Sequence, residues 1–319
     1  MINIFKANQM HFTAFDKKES IEYFKRQGIF LLSQPEKAHI IVSERINHLN
    51  QYIRLYGKNK SYLTWTREPR YNQHFSRIKK GFLWKPDIHV MNVYTGDVFV
   101  NNYYENSYRL VIDRHLELFS KENFLDFKTK KIAFLATNQK GNTSLKKEGK
   151  ELDLYRLRNQ IALKGYGLNK VDIYGRGWPD GISKEDSRSD NRVQRKGEIL
   201  SNYHFNLCFE NTNYPYYCTE KIWESIKYGC LPIYYGKENK IYEDFSKESF
   251  LDYCDFNDTE ALLTYIDNMS VSEFVDRMNA CIKVFNKVYE KVATYSSRET
   301  VLNPDMLMRI VCKVQSIIS

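Results

Sequence analysis

At 319 residues, 42% of them hydrophobic, the chain is long enough to bury sizeable cores, and its length points to about two domains. A net charge of +9 at pH 7 favours anionic partners such as nucleotide diphosphates, nucleic acid or an acidic membrane surface. The charge is scattered in pairs, among them Lys17–Lys18, Lys79–Lys80, Lys130–Lys131 and Lys146–Lys147, which read as solvated surface. No long basic run interleaved with aromatics and glycine marks a nucleic-acid module, so no nucleic-acid partner is expected.

In chain order, Ile2–Phe5 reads as a strand, Glu19–Gln27 as a helix, and Ala38–Val42 and Ser61–Thr66 as strands. Ile88–Val93 and Val98–Asn101 flank the turn signal Thr95-Gly96-Asp97 and suggest a hairpin. The charged stretch Ser120–Lys131 lacks a clear period and reads as a domain connection. A fresh strand, Lys131–Thr137, leads through a polar loop, Asn138–Lys150, into a helix over about Glu151–Lys164. The strand Lys170–Tyr174 ends at Gly175-Arg-Gly-Trp. Then come a helix near Lys196–Asn202, a strand Phe205–Phe209, a helix Thr219–Tyr228, and strands Leu231–Tyr235 and Phe250–Asp255. Two helices follow, Thr259–Met269 and Val271–Val292. This alternation implies parallel sheets covered by helices, with ligands at the carboxyl ends of the strands.

All six cysteines lie in the second half, from Cys208 to Cys312. None form CxxC, and they read as reduced, mostly buried thiols of a reducing compartment. The start, Met1-Ile-Asn-Ile-Phe-Lys, has no signal-peptide core, and no window holds the ~18 apolar residues of a membrane span. A cytoplasmic protein is expected, with membrane contact at most peripheral.

The chemistry concentrates between Phe205 and Gly236. A buried strand runs to Phe209, and a polar loop containing Pro215 leads to Thr219, a good N-cap. Glu220 suits the positive end of the helix dipole, whereas Lys221 opposes it by up to ~1 kcal/mol. A lysine there makes sense facing a phosphate, and a neighbouring carboxylate can accept hydrogen bonds from ribose hydroxyls. Pattern alone leaves open an ordinary capped helix with two solvated charges. Walker A and GxGxxG are both absent.

The ordered set Phe205-Asn-Leu-Cys-Phe-Glu-Asn-Thr, Tyr217-Cys-Thr-Glu-Lys-Ile and Leu231-Pro-Ile-Tyr-Tyr-Gly236 resembles the donor-site signature of glycosyltransferase family 10, the α-1,3/1,4-fucosyltransferases. Val171-Asp-Ile-Tyr-Gly-Arg-Gly177 and Asp244–Phe250 extend the resemblance, which covers about Lys131 to Asp255. It implies an α/β fold of the GT-B type, two Rossmann-like domains facing a central cleft. The expected boundaries are 1–128 for the acceptor domain, 129–300 for the donor domain and 301–319 for a tail. The implied reaction is an inverting transfer of L-fucose from GDP-fucose to a GlcNAc-type oligosaccharide acceptor, with an α-1,3 bond, on a bacterial surface glycan such as lipopolysaccharide O-antigen. Another GDP-deoxysugar donor, or a non-catalytic sugar- or nucleotide-binding protein on the same scaffold, are the alternatives.

By the same resemblance Lys221 and Arg158 serve the diphosphate, with Arg156 as a rival for Arg158. Glu220 holds the ribose, Asn211 and Tyr217 line the phosphates and sugar, and Glu210 and Thr212 are structural. An inverting displacement needs a base for the acceptor hydroxyl. Glu68, at a strand exit before Pro69, is the nominee, with Arg67 beside it as a substrate contact or a merely exposed charge. Trp65 and Trp178 read either as sugar-stacking rings or as core. No Asp-x-Asp occurs, so charge neutralisation by Lys and Arg is expected, with no bound metal or cofactor.

Overall fold

The computed structural model describes residues 1–7, 15, 18–103, 111–124, 127, 130–186, 191–296 and 304–319, and of 292–296 and 304 only the backbone. Lys17, parts of the expected 120–131 connection and the first residues of the expected tail lie outside them. The chain divides into two units, Met1–Asn106 with Lys291–Ser319, and Ser107–Glu290.

The first unit holds β1 (Ile2–Lys6), α1 (Lys18–Arg26), β2 (Ile29–Leu32), β3 (Ile40–Ser43), α2 (Ile46–Tyr56), β4 (Ser61–Trp65), β5 (Ile78–Lys79) and β6 (Ile88–Met91). The sheet order is β2-β1-β3-β4-β6-β5, parallel except for the last pair. Ile4, Ile40, Ile41, Val42, Tyr62, Leu63 and Val90 are fully buried, as strands covered on both faces require. α2 and β2 are absent from the sequence expectations. α2 is nonetheless built on apolar positions: Leu49 and Ile53 pack on Ile41 and Tyr62, while Asn47, His48, Asn50, Gln51 and Arg54 dilute the signal.

The expected hairpin does not form. β6 pairs instead with β4 in parallel and with β5 in antiparallel register, Ile78 opposite His89. Val98 and Phe99 are buried but outside any strand. They lie under a helix at Pro304–Ile318, where Arg309 Nε donates to the Val98 carbonyl at 2.9 Å and Lys313 pairs with Asp97 at 2.7 Å. Thus the segment read as a mixed tail carries a helix, with Leu307, Ile310 and Val314 fully buried. Among the described residues no helix is long and apolar enough to cross a membrane.

The second unit holds β7 (Ile132–Leu135), the small hairpin β8 (Lys146–Lys147) and β9 (Lys150–Glu151), α3 (Tyr155–Gly167), β10 (Val171–Tyr174), α4 (Arg192–Leu200), β11 (Phe205–Leu207), α5 (Glu220–Lys227), β12 (Leu231–Tyr234), β13 (Leu251–Asp252), α6 (Thr259–Asn268) and α7 (Val271–Ser296). The helix at Pro304–Ile318 is therefore α8. α3 starts four residues later than expected because Glu151 belongs to the hairpin and accepts the Leu145 and Asp153 amides at 2.8 and 3.0 Å. The last strand is also shorter than expected. The Asp252 carboxylate accepts the Cys254 amide at 3.0 Å and turns the chain into a 3-10 turn at Tyr253–Asp255.

The five-stranded sheet runs β10-β7-β11-β12-β13, all parallel. From β7 the chain moves outward to β10, then returns to the other side of β7 as β11. The strand order therefore reverses between β7 and β11, and the crevice beyond their carboxyl ends is where an open α/β sheet takes its ligand. Two glycines let neighbours close on this crevice. Gly197 in α4 lies against the Tyr228 ring, 2.7 Å from where a Cβ would stand. Gly175, at φ +127°, brings the exit of β10 against the exit of β7, where a Cβ would lie 2.3 Å from the Ala136 carbonyl oxygen. Trp178 then donates to that same oxygen at 2.8 Å. Replacing Gly175 by Ala is expected to cost about 2–4 kcal/mol, read as a lower urea midpoint at unchanged m-value.

Candidate active site

Beyond β11 the chain stays buried through Cys208 and Phe209 to Glu210, which is 2% exposed. A carboxylate so buried must be paired. Its Oε1 accepts the Thr219 amide at 2.6 Å, and its Oε2 accepts the Lys221 ammonium at 2.7 Å. The Thr219 hydroxyl donates to the same carboxylate at 2.8–2.9 Å and accepts from Lys221 at 2.6 Å. Thr219 does occupy the N-cap position, yet its side chain makes no capping bond to the helix. Glu210 takes it over, and the carboxylate itself sits at the positive end of the α5 dipole.

Lys221 is thereby held in the first turn of α5 despite the dipole. Burial pushes its ammonium pKa down, but Glu210 and then Glu220 outweigh this and raise it above the ordinary lysine value. Burial likewise pushes the Glu220 carboxyl up. Lys221 and Lys196 overcome it and hold the group down at about 2. Asn206 on β11 donates to Ser225 at 2.7 Å, and Ser225 donates to the Lys221 carbonyl at 2.8 Å, which fixes α5 to the sheet.

Arg158, on the second turn of α3, is 5% exposed. Its Nη1 donates to the Phe209 carbonyl at 3.1 Å, and its guanidinium carbon lies 4.4 Å from the centre of the Tyr155 ring. Its Nε is buried with no hydrogen-bond partner, so the fork keeps donor capacity. Burial lowers its pKa against the opposing pull of Tyr155, Glu210, Tyr217 and Asp153. Arg156 is exposed. Arg158, Lys221 and Lys196 line one pocket with Glu224 and the ends of β7 and β11. The three cations thus converge on the crevice predicted by strand order.

Lys196 and Glu224 are absent from the sequence expectations. Lys196 ion-pairs with Glu224 and stands 4.0 Å from Glu220. Glu224 is 8% exposed, and burial raises its pKa in spite of Lys196. Its spacing of four from Glu220 puts both carboxylates on one face of α5, a signal present in the sequence. Lys196 carries no such signal. Its neighbour Arg195, equally basic, is exposed and bound to Glu185 and Glu198 at 2.7 and 2.9 Å.

Tyr217 is 4% exposed, and Asn211 is half-buried. The Asn211 carbonyl accepts the Leu154 amide at 3.1 Å, tying this loop to the start of α3. Its side-chain oxygen accepts from Thr212 at 2.8 Å. Both tryptophans are core: Trp65 packs edge-on to Phe15 at 5.2 Å between ring centres, and Trp178 to Phe134 at 5.9 Å. Glu68 belongs to the first unit, three residues beyond β4, where its amide donates to Thr66 Oγ1 at 3.1 Å. Among the described residues no three His, Cys, Asp or Glu side chains gather as a metal-holding group.

Residues 126–279 match the family model described as glycosyltransferase family 10 (fucosyltransferase), C-terminal part. Most of the second unit thus resembles the C-terminal part of a family 10 glycosyltransferase. Similar curated proteins include an α-(1,3)-fucosyltransferase, FucT, of Helicobacter pylori, 42% identical over 74 residues, which are 23% of this chain and 15% of that protein. A GDP-fucose protein O-fucosyltransferase 3 of Xenopus tropicalis is 27% identical over 173 residues, 54% of this chain and 34% of its own. The match thus spans about a third or less of these relatives' length. The crystal structure of an α1,3-fucosyltransferase aligns with TM-score 0.53 and 18% identity, covering 88% of this chain and 82% of that one. That likeness establishes the fold as α/β of the GT-B type, each unit built on a Rossmann-like sheet.

The charge network of this domain predicts a pH signature. The Glu220 carboxyl sits at about 2 instead of its ordinary 4.5, so its stabilising contribution is complete above pH 4.5 and fades as pH falls toward 2. Glu220→Gln lacks that contribution. The gap in urea midpoint between the two proteins is expected to narrow from about pH 5 to about pH 3.

Proposed function

We propose that this chain transfers L-fucose from GDP-fucose to a hydroxyl of a GlcNAc-type acceptor, forming an α-1,3 bond with inversion. The observation that carries this reading is Lys221, clamped by Glu210 in the first turn of α5 and lining one pocket with the buried Arg158. A helix N-terminus with two fixed cations suits a nucleotide diphosphate. Lys196, already paired with Glu224, adds a third positive charge to the same wall. Glu220, ionised to low pH and half-exposed, suits the ribose hydroxyls.

In this reading the acceptor oxygen attacks the anomeric carbon as the bond to the β-phosphate oxygen breaks. Glu68 takes the acceptor's hydroxyl proton, and GDP leaves with the bonding electron pair. The charge that develops on the leaving diphosphate is stabilised by Arg158 and Lys221, already oriented before the reaction starts. Asn211 and Tyr217 shape the wall beside them. The H. pylori relative's α-(1,3) name supports the linkage. A cytoplasmic enzyme acting on a surface glycan such as lipopolysaccharide O-antigen completes the reading. It stands against the alternatives of another GDP-deoxysugar donor and of a binding protein without transfer.

Lys221→Ala is expected to weaken GDP binding by roughly 10- to 100-fold in calorimetry, the loss of a charge-assisted contact. An unchanged affinity would move the diphosphate elsewhere. Glu68→Gln is expected to keep GDP affinity and to lose transfer by about 10²- to 10⁴-fold. The transfer assay runs GDP-fucose, GDP-mannose and UDP-sugars against N-acetyllactosamine acceptors. Transfer by Glu68→Gln at the wild-type rate would assign the base to another group, and turnover of GDP-mannose alone would overturn fucose as the donor sugar.

A further inference from the structure

Among the described residues, the loop between β5 and β6 holds the longest run of exposed large apolar side chains. Phe82, Leu83 and Trp84 are 75%, 76% and 56% exposed, and Ile78 at the base is 37% exposed. Three consecutive large apolar side chains in water are unfavourable for a soluble surface. The flanking charge is of one sign. From Ser76 to Pro86 the chain carries Arg77, Lys79, Lys80 and Lys85 and no acid.

The tip is tightly constructed. The Asp87 carboxylate accepts the Gly81 amide and the Lys80 ammonium, each at 2.8 Å. The Lys85 amide donates to the Phe82 carbonyl at 3.1 Å and closes the turn. Gly81 fits because a Cβ there would stand 2.1 Å from the Lys85 carbonyl oxygen. Leu83 takes a left-handed backbone, φ +55°, which Gly or Asn adopts at lower cost. The chain therefore bears an unfavourable backbone and an unfavourable exposure at the same residue. Both are explained if the side chain is there to be buried in something else.

We infer that the Phe82-Leu83-Trp84 tip is an interfacial anchor that inserts into a bilayer of anionic phospholipid. Trp and Phe favour the headgroup boundary, and lysine stems lie along the apolar region while their ammonium groups reach the phosphates. The cations match a negative lipid surface, and the nearby acids are already paired, Asp87 with Lys80 and Asp97 with Lys313 and Arg77. A sugar-binding wall would instead need carboxylates or amides to accept hydroxyl protons, and the exposed stretch Phe82–Lys85 has none. One such tip gives reversible attachment only, because a single shallow apolar anchor is marginal. This inference does not depend on the donor or on the acceptor.

The test is co-sedimentation of the full chain with vesicles of phosphatidylcholine, with and without phosphatidylglycerol. Binding is expected to need the anionic lipid and to weaken with salt. It is expected to fall roughly tenfold or more in Phe82→Ser/Leu83→Asn/Trp84→Ser, and also in Lys79→Ser/Lys85→Ser. Brominated lipid is expected to quench tryptophan fluorescence in the wild type and much less in Trp84→Phe. Unchanged far-UV circular dichroism and GDP affinity certify that each variant is folded. Equal vesicle binding by the wild type and the triple variant overturns the anchor. So does a triple variant that keeps vesicle binding but loses transfer to a soluble acceptor, since that result makes the tip an acceptor contact.

Discussion

The candidate site depends on one buried carboxylate. Glu210 is 2% exposed, and every partner it has found is part of the site. It receives the first amide of the turn into α5, the Thr219 hydroxyl and the Lys221 ammonium. Remove that charge and three things lose their reason together: the entry angle of α5, the position of the lysine, and the raised proton affinity that keeps the lysine charged. A buried ion pair gives little net stability compared with an apolar filling. Its use here is orientation. It holds a cation at a helix N-terminus, where the dipole alone would turn it outward.

The rest of the second unit delivers partners to that point. The reversal of strand order places the ends of β7 and β11 side by side, and α3 and α5 follow those two strands. Arg158 and Lys221 therefore reach one pocket from opposite neighbours. α4 supplies Lys196 because Gly197 allows α4 to pack on the Tyr228 ring at the end of α5. Of the cysteines, Cys208, Cys218, Cys230 and Cys281 are buried, and burial pushes the Cys208 thiol up to about 12, so it serves as packing beside the site.

Much of this was legible in the chain. Parallel strands under helices announce themselves as short apolar runs, and Thr219-Glu220-Lys221 marks a helix start with a lysine at the wrong end of the dipole. Arg158 was separated from Arg156 by resemblance, and burial separates them again. What could not be read is long-range. Nothing local distinguishes Lys196 from Arg195, because the difference is a carboxylate 28 residues away. α2 was hidden because only two of its eleven residues are buried. Val98 and Phe99 looked like a strand because apolar burial under a helix and burial in a sheet leave the same short signature.

The C-terminal helix also bears on the order in which the molecule assembles. Arg309 reaches the Val98 carbonyl across 211 residues of sequence, and Lys313 reaches Asp97 across 216. On a ribosome, the strands of the first unit emerge early, yet the surface over Val98 and Phe99 stays uncovered until the whole second unit has been made. The second unit is continuous in sequence and contains its own sheet. It can finish folding while the first still waits, a reversal of the usual N-terminal-first order. For that interval the exposed apolar face of the first unit is the segment most in need of a chaperone.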